Sequence, residues 1–541
     1  MSRARLCLIF LLLSLGLCLF GESQTKQIVY NGFPGGLNRE YNDDACPPTQ
    51  VRELFNMVVE RDGTVISRPG FGGNSKYGQA SESLGLLNLC AFTGTLVGVT
   101  VTGNLRAYYA TATVTIATMG VELTSNPGQF AYFDNRLWFS STAASMYTWN
   151  YVSTATATPV VGAPSSRVLL VHNDRLFAAN GATVYETSLA SGSDWAGGEA
   201  WLIGDLSTSV TGLQRIGRDL YIFKSDSIFR MSGYSPAERV IEKVFSVGSG
   251  SPDSIKSVWL DGAGESIIFY GSNNKLYAIN NGGLKDIGAH VPEALEYLSP
   301  DLLTAVVDKR LGLYYLFNAT NRGSSSEFLA FGRNYGVIVS MNSPFTDKFG
   351  TMWPISCFGG VPQFPPTSTN AYGVVGWGLE GGCTQEYSGT LEEYRNTGLF
   401  IVLAYVTAPA SSSFFVVNNS TTLYDAVTYN AGKPILTRVR TRDEDAGDIN
   451  YLKGWRSARV YATRHNDTNV QLATFTQYLD EDTTGYQEYR RLGSASHLFP
   501  MVSYSKRAAI QLDVIPPNSV TGGYRLFRIE SNFILGPRQE W

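Results

Sequence analysis

From about residue 86 onward, apolar and polar positions alternate with period two in short runs that close on polar turns. Runs such as GATVYETSL, SDSIFRMSG and ASMYTWNYV put Val184 and Tyr185, or Ile228 and Phe229, on opposite faces, the pattern of half-buried strands. A looser repeat overlies this alternation: a polar turn, then a strand opening on Leu and aromatics. It occurs as TGNLRAYY at Leu105, DNRLWFS at Leu137, NDRLFAAN at Leu176, GRDLYIF at Leu220, NNKLYAI at Leu276 and DKRLGLYYLF at Leu311. Those leucines lie 32 to 56 residues apart, near the roughly 40 to 50 residues of a four-stranded propeller blade. A hairpin of this kind cannot bury its apolar face alone. Stacked radially, six or so would close a core and leave only short edges. The pattern predicts an all-β chain with a β-propeller of irregular blades over 86–394; a pair of β-sandwiches with long insertions stays open as the alternative.

Residues 24–85 and 395–541 do not follow the repeat. In the second region KPILTRVRTR, WRSARVYATR, AAIQLDVI and YRLFRIESNFIL alternate like strands and are separated by polar turns, which reads as a β-sandwich or platform domain. Chain ends commonly meet in space, so the N-terminal segment is expected to add its strand there. Within that segment, RDGTVISRPGF reads as a turn at Asp62-Gly63, a strand from Thr64 to Ser67, and an Arg68-Pro69-Gly70 stop that a strand cannot continue through. Ala408 to Asn430 reads as an extended loop. Residues 1–23 join basic MSRAR to an apolar Leu6–Phe20 and then GES. This leader resembles a signal peptide, at about 22 Å of helix against a roughly 30 Å hydrocarbon core; an upstream extension of the reading frame is the competing reading.

Composition narrows the function. Of 541 residues, 44% are hydrophobic, and 16% charged stands against 12% aromatic and 55 glycines, a balance suited to short strands and tight turns. The net charge of −4 argues against a general nucleic-acid binder, which needs a basic excess, but suits a surface DNA slides past. Outside the leader, Cys46, Cys90, Cys357 and Cys383 show no CxxC spacing; buried thiols are expected, with a Cys357–Cys383 bridge as the alternative. His172, His290, His465 and His497 are far apart, without HExxH, and no GxSxG occurs. GWGLEG, Gly376 to Gly381, matches GxGxxG but is followed by GCTQEYSG instead of a helix. SDWAGGEAW, Ser193 to Trp201, is near the Asp-box turn of sialidase propellers, with a spacing one residue too long. Acidic groups at Asp443, Glu444, Asp445 and Asp448, and at Asp480, Glu481 and Asp482, read as solvated turns instead of calcium loops or glycosidase carboxylates. The expectation is a non-enzyme with no cofactor, metal or catalytic residues. One array is more pointed: Arg438, Arg440 and Arg442 fall at period two, so one strand face carries three guanidinium groups. It reads either as a solvated edge paired with the acidic turn after it, or as a subunit-interface or DNA-facing channel element.

The opening segment carries a resemblance. GGLN at Gly35 to Asn38, PPTQ ending at Gln50 and LFNMVVERDGTVISRPGF, ahead of a propeller-like body, resemble the tail tubular protein B, or nozzle, family of short-tailed phages (podophages). The resemblance implies a structural virion protein, six copies in a ring below the adaptor and portal-proximal tail proteins, with tail fibres as further partners. Genomic DNA would pass through its channel at ejection without sequence-specific binding. In that family the propellers splay outward and the platforms line the tube. Asn56, Gly63, Arg68, Pro69 and Gly70 would then be structural turn residues, with Asn56 bonding backbone in the turn and Pro69-Gly70 stopping the strand. The leader departs from this pattern and keeps a second reading open, a secreted bacterial propeller that binds or cleaves surface glycan.

Overall fold

The hairpins close on turns whose residues tolerate left-handed backbone. Asp134 and Asn135, at φ 50° and 54°, and Asn173 and Asp174, at 48° and 55°, put both central positions there, the two-residue turn whose twist matches the flanking strands. The computed structural model describes residues 25–40, 46–68, 71–73, 86–92, 95–100, 103–108, 113–119, 128–143, 145–150, 156–296, 298, 303–309, 311–318, 336–358, 372–378, 399–405, 412–417, 424–428, 431–434, 437–443, 451–465, 471–479, 486–492, 496–515 and 523–538. The leader lies outside them.

Five four-stranded antiparallel meanders follow one another at 86–118, 129–159, 168–202, 210–245 and 256–286. A sixth consists of Leu303–Asp308, Leu313–Asn318, Gly336–Ser340 and Ile355–Phe358. A seventh pairs Tyr372–Gly378, Leu399–Tyr405 and Ser412–Val417 with Phe71–Gly73. The first strand of each sheet packs near the first hairpin of the next, and the circle closes where Leu303–Asp308 meets Tyr372–Gly378 and that strand meets Leu86–Phe92. The described residues thus form a seven-bladed propeller. Its last blade is completed by an early strand, Gly72 facing Val416, so closing the ring ties together segments about 340 residues apart. Aromatic and branched side chains fill the seams between blades: Phe223 of blade four meets Phe269 of blade five edge to face at 5.1 Å.

The platform is a sandwich of two sheets. One runs Met57–Val59, Val65–Ser67, Gly523–Arg538, Tyr451–His465, Ser496–Ser505, with Thr25–Asn31 laid along Gly523–Arg538 from Thr25↔Ile534 to Asn31↔Arg528. The other continues from blade six: Ile355–Phe358 pairs in parallel with Glu53–Phe55 at Phe55↔Cys357, then come Thr437–Arg440, Ala508–Ile515, Gln471–Leu479 and Tyr486–Leu492, nine strands in all. Between the sheets Phe475 stacks on Phe499 at 4.5 Å, and within the first sheet Trp455 packs on its cross-strand partner Phe533 at 5.2 Å. One apolar core runs from Val258 of blade five through Leu316 of blade six to Val439 and Phe475 of the platform, so the platform and these blades share buried surface.

Several expectations are corrected. Leu137, Leu176 and Leu220 lie in second strands and Leu311 just precedes one, but Leu105 and Leu276 sit in third strands. Every hairpin of a meander offers a polar turn before an apolar strand, so the repeat drifts by one hairpin. The boundary at 394/395 does not separate propeller from platform, because Leu399–Tyr405 and Ser412–Val417 belong to blade seven. Nor is Ala408 to Asn430 a loop: it holds Ser412–Val417 and Tyr424–Thr428, the latter in a hairpin with Ala431–Pro434. Segment 24–85 serves both bodies, since Phe71–Gly73 leaves the platform for the propeller. Cys46, Cys90 and Cys357 are buried, and Cys383 lies outside the described residues.

Candidate functional site

The three stretches that carry the resemblance converge where platform and propeller join. Gly35 lets the chain pass Gln50 at a distance a side chain would block, its Cβ position being 2.3 Å from Gln50 Cγ. Gly36, at φ 64°, bridges to Ile355 of blade six, and Leu37 N–H donates to Ile355 O at 2.9 Å. Asn38 N–H then donates to Val51 O at 2.8 Å, and its Nδ2 donates to Gln50 Oε1 at 2.6 Å, both side chains buried. GGLN and PPTQ are therefore two sides of one buried amide pair. Arg39 N–H donates to His290 O at 2.8 Å, which ties the same strip to the end of blade five.

Asn56 stands between Glu53–Phe55, in the nine-stranded sheet, and Met57–Val59, in the other. At φ 54° it is the left-handed residue that turns the chain from one layer of the sandwich to the opposite one. Its N–H donates to Cys357 O at 2.8 Å and its carbonyl accepts from Arg68 N–H at 3.0 Å. Its side chain accepts from Arg68 Nε at 2.8 Å, so a guanidinium joins the backbone partners of Asn56. Arg68 is 0% exposed, with its guanidinium 5.9 Å from the Phe358 ring centre. Gly63, at φ 82°, ends the hairpin turn: its N–H donates to Glu60 O at 2.9 Å and its carbonyl accepts from Phe33 N–H at 2.7 Å. Asp62 Oδ1 accepts from Thr64 Oγ1 at 2.6 Å and from its N–H at 2.9 Å; the hydroxyl bond first of all holds the carboxyl below its usual range. Pro69 and Gly70 lie outside the described residues.

The arginine row sits in mid-sheet, since Thr437–Arg440 pairs with Glu53–Phe55 on one side and Ala508–Ile515 on the other. Arg438 donates from Nε and Nη2 to both oxygens of Asp513, at 2.6 and 3.1 Å, and reaches Glu53 at 3.4 Å. Burial alone would lower its pKa, but the Asp513 hydrogen bonds outweigh that and hold it above the usual arginine value. Arg440 lies 3.7 Å from Glu53 and stacks on Tyr478 at 4.2 Å. Arg442 Nη1 donates to Cys46 O at 2.8 Å. These contacts correct the solvated-edge reading: the strand is no edge, and the acids that pair with Arg438 and Arg440 come from flanking strands. Glu53 and Asp513 were missed in the sequence; the period-two pair Gln511 and Asp513 in AAIQLDVI was the available signal.

The remaining motifs fall in strands and turns or outside the described residues. Gly376 to Gly378 lie inside the first strand of blade seven. Asp194 Oδ1 accepts from Gly197 N–H at 2.9 Å and so ties the turn before the last strand of blade three. Of the acidic groups, Glu444, Asp445, Asp448, Asp480, Glu481 and Asp482 fall outside the described residues, among which no cluster of three or more metal-ligating side chains occurs.

No protein-family model matches the sequence, and no curated protein does. Solved structures similar to the chain include an exo-β-1,3-galactanase from Phanerochaete chrysosporium, 11% identical, covering 73% of this chain and 100% of its own, at a TM-score of 0.25. YCF48 bound to a D1 peptide is 10% identical over 54% of this chain and 87% of its own, at 0.32. The extracellular domain of a hybrid two-component system protein from B. thetaiotaomicron is 14% identical over 53% and 39%, at 0.35.

Proposed function

We propose that the chain is a structural protein of a short-tailed phage tail, a nozzle subunit that closes with five further copies into a ring through which genomic DNA leaves. The observation that carries this reading is the convergence of GGLN, PPTQ and the Asn56 to Arg68 hairpin, the segments of the resemblance, on one buried junction between platform and propeller. A ring that conducts DNA needs its channel wall and its outer bodies to move as one, and a sheet shared by blade six and platform supplies that stiffness. The arginine row stiffens the platform in this reading, because Arg438 and Arg440 are neutralised by Glu53 and Asp513 of the same chain. A net charge of −4 suits a conduit that must not hold its cargo.

The adaptor and portal-proximal tail proteins would seat on the ring, which takes no cofactor and belongs to the virion. Mass photometry and electron microscopy of the purified chain test the reading. A six-membered ring with an axial channel that admits duplex DNA is expected. A monomer at high concentration, with its propeller closed around a glycan-binding pocket, would overturn it in favour of the secreted propeller.

A further inference from the structure

The seam between blades three and four holds charges that the proposed function does not use. Glu186, at the end of the third strand of blade three, is 0% exposed. It lies 2.9 Å from Arg239, whose side chain is 1% exposed, and 3.6 Å from Arg175. Arg239 belongs to blade four, where it ends the 233–239 loop between the third and fourth strands, donates back to Gly233 O and lies over the Phe177 ring of blade three at 5.4 Å. The same loop is pinned a second time by Tyr234, whose hydroxyl donates to Asp174 at 3.1 Å. His172 is also buried, its ring 5.8 Å from Phe177, and its Nε2 has no hydrogen-bond partner among the described residues.

We propose that this seam is an acid-released latch: with His172 neutral and Glu186 charged, Arg239 holds the 233–239 loop on blade three, and protonation of the two residues sets the loop free. The groups facing the seam are Arg215, the Arg218 backbone, Tyr234, Glu238 and Arg239 from blade four, and Asp174, Arg175, Glu186 and Glu199 from blade three. Glu238 bonds back to Ser235 N–H in its own loop, so it offers Arg239 little. A charged His172 would add a cation beside Arg239 and Arg215, while a protonated Glu186 would remove the carboxylate that seats Arg239. Both changes act in one direction. Burial first, then those two arginines, hold His172 down at about 4; burial pushes Glu186 up against the pull of Arg239 and Arg175. The latch is therefore shut at neutral pH and opens as pH falls toward 4.

Hydrogen exchange read by mass spectrometry on the full chain, corrected for intrinsic rates between pH 7 and pH 4, tests this. Protection across 233–239 is expected to fall at least about tenfold by pH 4 while 210–216, the first strand of the same blade, stays protected. Glu186→Gln should expose the loop already at pH 7, and His172→Gln should move its release to lower pH. Constant loop protection down to pH 4, loss of protection in step with 210–216, or a His172→Gln profile that superimposes on wild type overturns the latch. The wild-type and His172→Gln profiles decide the matter even if Glu186→Gln fails to fold.

Discussion

Asn56 concentrates two demands on one side chain, and replacing it separates them. The residue must adopt left-handed backbone at φ 54° and must offer an acceptor 2.8 Å from the Nε of a fully buried Arg68. Alanine fails both: left-handed backbone costs a Cβ-bearing residue about 1 to 2 kcal/mol, and a lost bond to a charged group costs about 1.5 to 3 kcal/mol. Asn56→Ala is therefore expected to lower stability by about 2.5 to 5 kcal/mol. Glycine takes the backbone freely and loses only the acceptor, so Asn56→Gly should cost about 2 kcal/mol. Asn56→Asp keeps an acceptor and tolerates the conformation, and should stay within about 1 kcal/mol of wild type. Urea denaturation followed by tryptophan fluorescence reads this, because Trp455 lies in the platform core. Equal losses for Asp and Ala would refute the acceptor argument, and equal losses for Gly and Ala would refute the backbone one.

Acid should weaken the end of blade five through His290. Its ring is fully buried without a hydrogen-bond partner among the described residues, and burial holds its pKa down at about 3. A depressed imidazole pKa favours the fold above its ordinary 6.5 and loses that benefit as pH falls toward 3, about 2 kcal/mol between pH 7 and 5. His290→Leu should flatten the fall in urea midpoint over that interval, and an unchanged slope rejects the argument. In the arginine row, Arg438→Ala should cost about 2 kcal/mol or more, because Asp513 and Glu53 stay behind half-buried, whereas Arg440→Ala should cost about 1 kcal/mol; reversed thermal-shift losses would contradict this ranking. Gly63→Ala, with φ 82° and a Cβ 3.1 Å from Pro34, should lose about 1 to 2 kcal/mol by the same denaturation assay, and no loss would show that the turn relaxes.

Period two and turn chemistry made the all-β character and the blade-like repeat legible, because both are local: a strand shows its alternation within six residues, and Asn-Asp turns announce themselves. That both chain ends build the platform also followed from the sequence, through the strands flanking the repeat. Registration between hairpins did not, so the sequence repeat equates Leu276 with Leu220 although the two lie in different strands of their blades. The use of Phe71–Gly73 to finish blade seven could not be read from three residues, since a short strand takes its identity from the edge it meets. The arginines at 438, 440 and 442 were visible as a stripe, but Glu53 and Asp513, distant in sequence, became their neutralising neighbours only through strand order. By itself the sequence determined which segments are strands and where they turn; the tertiary structure alone decided which strands meet, because pairing and burial of charge depend on contacts between residues far apart along the chain.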